Sequence, residues 1–133
     1  RATRAVNLTG VSGTFSADEE INQATTGAVG KVVEWDSTNN ILYYIQTRHN
    51  DEGVDSNGDL TAFSGTNVIS GQTSSATGTP TTSTSTINSQ SFTSGYSNSE
   101  IDADSGDILY IENRAPITRA ADQTENIKLV IEF

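Results

Sequence analysis

Short apolar runs separated by polar, turn-forming stretches organise this chain. Residues 5–11 (AVNLTGV) read as a first strand. Residues 25–30 (TTGAVG) read as a bend, and residues 31–35 (KVVEW) and 41–47 (ILYYIQT) as two strong strands. The connection Asp36-Ser37-Thr38-Asn39-Asn40 is rich in turn formers, so the pair predicts a β-hairpin over 31–47. In the first strand Val33 and Trp35 fall on one face, with Val32 and Glu34 on the other. In the second, Ile41, Tyr43 and Ile45 oppose Leu42, Tyr44 and Gln46. Apolar groups on both faces predict a strand covered on both sides. At the far end, residues 107–112 (DILYIE) predict a strand that Ala115-Pro116 interrupts, because proline lacks a ladder donor. Ile127, Leu129, Ile131 and Phe133 then alternate with Lys128, Val130 and Glu132. That period of two predicts a closing strand with one face buried.

Between these elements lies sequence with little to bury. Residues 72–86 (QTSSATGTPTTSTST) are of low complexity and predict an extended or mobile loop. Residues 89–99 are as polar but carry Phe92 and Tyr96, which can dock that stretch onto a sheet. An internal repeat is also present. At an offset of 48, Phe15, Ser16, Ile21, Thr25, Ala28 and Gly30 match Phe63, Ser64, Ile69, Thr73, Ala76 and Gly78. The second copy lacks a counterpart of the 31–47 hairpin and continues as Ser/Thr-rich sequence. The expected architecture is all-β, an antiparallel sheet or small sandwich with a prominent hairpin at 31–47 and long polar loops. Residues 1–104 would form a β-module with a degenerate repeat and a Ser/Thr-rich loop at about 70–99, and residues 105–133 a C-terminal strand pair.

Composition narrows the functional classes. A chain of 133 residues with 33% hydrophobic content supports one domain with a modest core. The absence of methionine predicts a processed chain or a piece of a longer protein. Seven basic against 17 acidic residues give a net charge of −10, which opposes binding to nucleic acid or an anionic membrane. No stretch approaches the roughly 20 apolar residues of a membrane helix. With no cysteine, disulfides and thiolate metal sites are excluded, and folding needs no oxidising compartment.

Candidate chemistry is sparse. His49 is the only histidine, no Gly-x-Ser-x-Gly elbow accompanies it, and it reads as a strand-end residue. The acidic stretch NDEGVDSNGD resembles a calcium loop in composition only. Counting from Asp55, the sixth position is Leu60 where glycine is needed, and the twelfth is Thr66 where glutamate is needed. A polar turn at Asn57-Gly58 is the better reading. Paired carboxylates for glycoside hydrolysis need a cleft in a larger scaffold. No catalytic residue, metal ligand or cofactor is expected. Trp35, Tyr43, Tyr44 and Tyr110 are available as a sugar-stacking platform, although strands this apolar place aromatics in the core. Glu112, Asn113, Arg114, Arg119, Asp122 and Glu125 form the densest cluster of charged and amide groups. They are expected either to brace the crossing between two strands or to make an assembly contact.

Two resemblances add to this reading. The first copy of the repeat, with Gly13-Thr14-Phe15, Thr26-Gly27-Ala28-Val29-Gly30 and its hairpin, resembles a small β-module of virion proteins from marine tailed phages. The stretch from Ser105 to Phe133, 29 of the 133 residues, resembles the C-terminal end of a baseplate wedge subunit of T-even-type contractile-tailed bacteriophages. Ser105-Gly106-Asp107, the Tyr110 strand, Glu112-Asn113-Arg114, Pro116-Ile117, Asp122 to Glu125 and the terminal apolar strand carry that likeness. It implies a virion structural protein of the tail baseplate, assembled in the host bacterial cytoplasm, and not an enzyme. Its implied partners are other baseplate wedge proteins and, in the full-length protein, a second copy in a homodimer. Nucleic acid, membrane insertion and a small-molecule substrate are not expected. The alternative is a virion-displayed adhesive module, residues 1–104, that binds a host surface glycan or protein.

Overall fold

The computed structural model describes residues 3–46, 52–99, 112–113 and 127–132. Nine strands and no helix occur among them: β1 Arg4–Ser12, β2 Glu20–Gln23, β3 Ala28–Asp36, β4 Ile41–Ile45, β5 Ile69–Gly71, β6 Thr77–Pro80, β7 Ser85–Ile87, β8 Gln90–Phe92 and β9 Tyr96–Ser97. The fold is all-β, and every pairing is antiparallel.

The main sheet runs β4-β3-β2-β5-β6-β1-β9, and a further pairing joins β4 to β1. That pairing closes the sheet, so β1, β4, β3, β2, β5 and β6 form a ring. β1 makes closure possible because it is nine residues long and serves two neighbours on one side. Asn7 donates its N–H to Gly95 O at 2.8 Å and accepts from Thr81 N–H at 2.9 Å, which sets β9 and β6 end to end. On the other side Leu8 N–H reaches Asn40 O at 2.8 Å beside β4. Closure gives each of the six ring strands two strand neighbours, so none of them is left as an edge that would template aggregation.

Side chains of alternate positions fill the barrel. Val6, Leu8, Phe15, Ile21, Ala28, Val32, Leu42, Tyr44, Phe63, Ile69 and Ala76 form one buried cluster. A second cluster, Ala5, Ile41 and Phe92 with Tyr43 and Ile87 beside it, lies on the opposite face of β1 and β4. There the two-stranded β7–β8 hairpin lays Phe92 over the sheet. β4 is therefore covered on both faces, as its apolar pattern predicts.

The β3 faces differ from the expected assignment. Val32 pairs with Tyr44 but Glu34 pairs with Tyr43, so Val33 is an extra residue in a β-bulge. The bulge shifts the alternation by one. Val32 is buried, Trp35 packs against the same inner cluster, and Val33 is 44% exposed.

The repeat-matched segments lie side by side. β2 and β5 pair with Asn22 opposite Ser70, positions that are 48 apart. Ile21 faces Gly30 across β2–β3, and Ile69 faces Gly78 across β5–β6. Gly27 and Ser75, also 48 apart, both have positive φ, at 75° and 57°.

Two expectations are corrected. Residues 72–86 do not form a loop: β6 and the start of β7 lie within them, and Ala76, Gly78 and Pro80 are buried. Small side chains fit there because Leu8 fills the space, and a Cβ on Gly78 would meet Leu8 Cδ1 at 2.8 Å. Ile127, Leu129 and Ile131 have no buried face. Residues 127–132 carry no regular structure and these three side chains are 91%, 78% and 62% exposed. An alternating pattern makes a strand only where a neighbour supplies hydrogen bonds, and none among the described residues pairs with this segment. The rest of the expected C-terminal pair, residues 107–111 and 133, lies outside the described residues.

Candidate functional site

A recess lies outside the barrel, between β3–β4 and the β7–β8 turn. It has a volume of about 390 Å³ and is lined by Thr3, Val33, Glu34, Asp36, Tyr43 and Asn88. The bulge builds its floor, because inserting Val33 turns Val33 and Glu34 outward together and sets Glu34 across from Tyr43. Tyr43 is half-buried, with its ring packed beside Ile41 and Phe92. Asp36 caps the β3–β4 turn. Its Oδ1 accepts from Thr38 N–H at 2.9 Å and Asn39 N–H at 3.1 Å, and Oδ2 accepts from Asn39 Nδ2 at 2.8 Å. The Asn39 side-chain amide, then the Asn39 and Thr38 backbone amides, hold the Asp36 carboxyl below its ordinary pKa. The recess is thus lined by one aromatic and one aliphatic residue, two acidic residues, a threonine and an asparagine.

Of the aromatics expected as a platform, Trp35, Tyr43 and Tyr44 are among the described residues, and of these Tyr43 alone lines this recess. Trp35 packs edge-on against Phe15 at 5.3 Å, and Tyr44 packs against Phe63 at 4.9 Å. Burial pushes the Tyr44 phenol well above its ordinary pKa. Tyr110 lies outside the described residues, as does His49. The cluster expected to carry assembly is described at Glu112 and Asn113 alone, both exposed; Arg114, Arg119, Asp122 and Glu125 lie outside.

The acidic stretch around Asp55 forms a turn. Its Oδ1 accepts from Asn57 N–H at 2.8 Å and Asp59 N–H at 3.0 Å, and Val54 bridges to Leu60. The Asp59 and Asn57 amides lower the Asp55 pKa. Among the described residues no three His, Cys, Asp or Glu side chains gather as a metal site.

Three buried polar side chains, Glu19, Gln23 and Gln90, escaped the sequence reading, and the first two join the repeat-matched segments. Glu19 accepts from Ser16 N–H (2.6 Å), Thr73 N–H (3.1 Å), Ser74 N–H (2.9 Å) and Ser74 Oγ (2.8 Å). Burial raises its pKa, but the bonds from Ser74, Ser16 and Thr73 together outweigh burial and lower it. Gln23, fully buried, accepts at Oε1 from Ser64 N–H (3.0 Å) and Thr26 Oγ1 (2.9 Å), and donates from Nε2 to Asn67 O (2.8 Å). Both side chains clasp one repeat-matched segment to the other. The repeated Ser16/Ser64 position was the available signal, since its backbone N–H supplies a donor to each clasp.

These features define a small all-β barrel protein with an apolar core, in which the buried polar side chains Glu19 and Gln23 tie strand junctions. Residues 63–133, just over half of the chain, match the sequence model of the family described as Bacteriophage T4, Gp8, and the chain belongs to that family of baseplate wedge subunits. Its role is structural, in the phage tail baseplate, among other baseplate proteins. No curated protein and no solved structure matches the chain.

Proposed function

We propose that the chain acts by protein–protein assembly within the baseplate wedge, and that it catalyses no reaction. The family match over residues 63–133 carries this reading. It runs through β5, β6 and the β7–β8 hairpin, so the matched segment is integral to the barrel and not appended to it. The reading takes adjoining wedge proteins and, in the full-length protein, a second copy as partners. Assembly takes place in the host bacterial cytoplasm. Glu112, Asn113, Arg114, Arg119, Asp122 and Glu125 are the charged set assigned to contacts near the C-terminal crossing. An acidic surface of net charge −10 favours partners with basic faces, and nucleic acid is not among them. The test is gold-labelled antibody against this chain, imaged on intact particles by electron microscopy. Label at the baseplate is expected; label on the capsid or tail tube, or none on disrupted particles, overturns the reading.

The mixed recess at Tyr43 favours a second role beside the first, as an adhesive module that meets a host surface glycan.

A further inference from the structure

We propose that the recess lined by Thr3, Val33, Glu34, Asp36, Tyr43 and Asn88 binds a neutral saccharide; the inference rests on the adhesive reading. A sugar presents an apolar C–H face and a rim of hydroxyl groups. Tyr43 and Val33 supply the matching apolar floor. Glu34 and Asp36 can accept hydrogen bonds from sugar hydroxyls, and Asn88 and Thr3 lie on the same rim with groups of both kinds. The volume of about 390 Å³ suits one or two sugar residues.

The site is built before any ligand arrives. Three donors from its own turn hold Asp36 in one orientation and favour its ionised form. A carboxylate offers about four lone-pair sites, so Asp36 keeps acceptor capacity for a ligand. The bulge fixes Glu34 opposite Tyr43. Two carboxylates in a chain of net charge −10 repel uronates and sialic-type sugars, which leaves neutral glycans as the ligand class.

The test is amide and aromatic NMR shift titration of the full chain with neutral hexose and N-acetylhexosamine disaccharides. A hexuronate disaccharide and an arginine-rich peptide serve as comparisons. Saturable shifts confined to the recess are expected with a neutral disaccharide, weakened about tenfold by Glu34→Gln, which alters an exposed side chain and keeps the fold. Tyr43→Phe, which keeps the packed ring, should leave most of the binding in place. No saturable shift, shifts elsewhere, or a stronger response to the uronate or the peptide overturns the proposal. Baseplate labelling is read separately, so failure here leaves the assembly reading standing.

A second inference rests on the two polar clasps. We infer that β2–β3 and β5–β6 are copies of one unit related by a local two-fold axis between Asn22 and Ser70. The donors correspond pairwise: Ser16 N–H and Ser74 Oγ converge on Glu19, while Ser64 N–H and Thr26 Oγ1 converge on Gln23. The acceptor has changed position, and Glu19 also accepts from Thr73 N–H and Ser74 N–H. Gly71 stands where the second copy would carry the counterpart of Gln23, and Glu19 fills its space. A Cβ on Gly71 would lie 2.7 Å from Glu19 Oε2. The position matching Glu19 holds Asn67.

Gly71→Gln alone is therefore expected to lower the melting temperature, as is Glu19→Asn alone. The double variant restores the same acceptor to both clasps and should melt above either single one. A double variant no more stable than the worse single variant overturns the correspondence.

Discussion

Burying a carboxylate is costly unless its oxygens are met, and Glu19 shows how this chain meets the condition. Three backbone amides and one hydroxyl reach its two oxygens, and its side chain ties the entry to β2 to the β5–β6 turn. Glu19→Ala leaves those donors without their partner, and we expect a loss of about 2–3 kcal/mol in denaturant unfolding. The charge also sets a pH dependence. With its folded pKa held below the ordinary 4.5, the native state binds fewer protons than the unfolded chain near that pH. The stabilisation from ionised Glu19 is thus complete above about pH 5 and fades as pH falls through the lowered folded value. Glu19→Gln should flatten that acid limb while costing stability at pH 7. An unchanged slope of stability between pH 5 and 3 would assign the limb to other carboxyls. Asp36 and Asp55 titrate in the same direction but are tied only to their own turns.

Strands in this barrel depend on single contacts that composition does not advertise. Gly30 and Gly78 occupy matched positions, yet substitution should cost different amounts. A Cβ on Gly30 would meet Ile45 O at 2.9 Å and the Phe63 ring at 3.1 Å, and backbone cannot step aside. On Gly78 the nearest atom is the tip of Leu8, which can turn. Gly30→Ala should cost about 1–3 kcal/mol and Gly78→Ala less, as read from denaturation midpoints. Phe92→Ala should cost about 3–5 kcal/mol, because the ring is fully buried between the β7–β8 hairpin and β4. Hydrogen exchange should show the hairpin amides losing protection first, with β2 and β5 still protected. The 31–47 hairpin and the two covered faces of β4 were legible because two apolar runs flank five turn-forming residues and the second run is apolar at every position from 41 to 45. Val33 was not, since a second valine after Val32 reads as part of one apolar run whether or not it is an inserted residue. β6 was hidden for another reason. Its inward positions hold Gly78 and Pro80, so a buried strand presents the sequence of a loop. The recess was legible only as a list of aromatics, because burial of Trp35 and Tyr44 and the outward turn of Glu34 follow from pairing, not spacing.

At the scale of the whole molecule, the ring of strands ties the family-matched half to the rest. Residues 63–133 contribute β5 and β6 to the barrel, but β5 pairs outward with β2 and β6 with β1. Neither neighbour lies in the matched segment. Among the described residues, the large inner side chains Val6, Leu8, Phe15, Ile21, Val32, Leu42 and Tyr44 come from before residue 63, and Phe63 and Ile69 from 63 onwards. A chain cut at residue 63 would expose the inward faces of β5 and β6 and leave both of their outer ladders unpaired, with too little apolar surface left to offset chain ordering. Residues 63–133 alone should therefore show no cooperative thermal transition and little amide protection. Adding residues 1–62 as a separate polypeptide should restore both, because the pairings that close the ring need proximity and not a peptide bond at position 62. Cooperative unfolding of the isolated 63–133 segment would mean that the family-matched half has a core of its own, and that closure through β1 and β4 adds to a fold already formed.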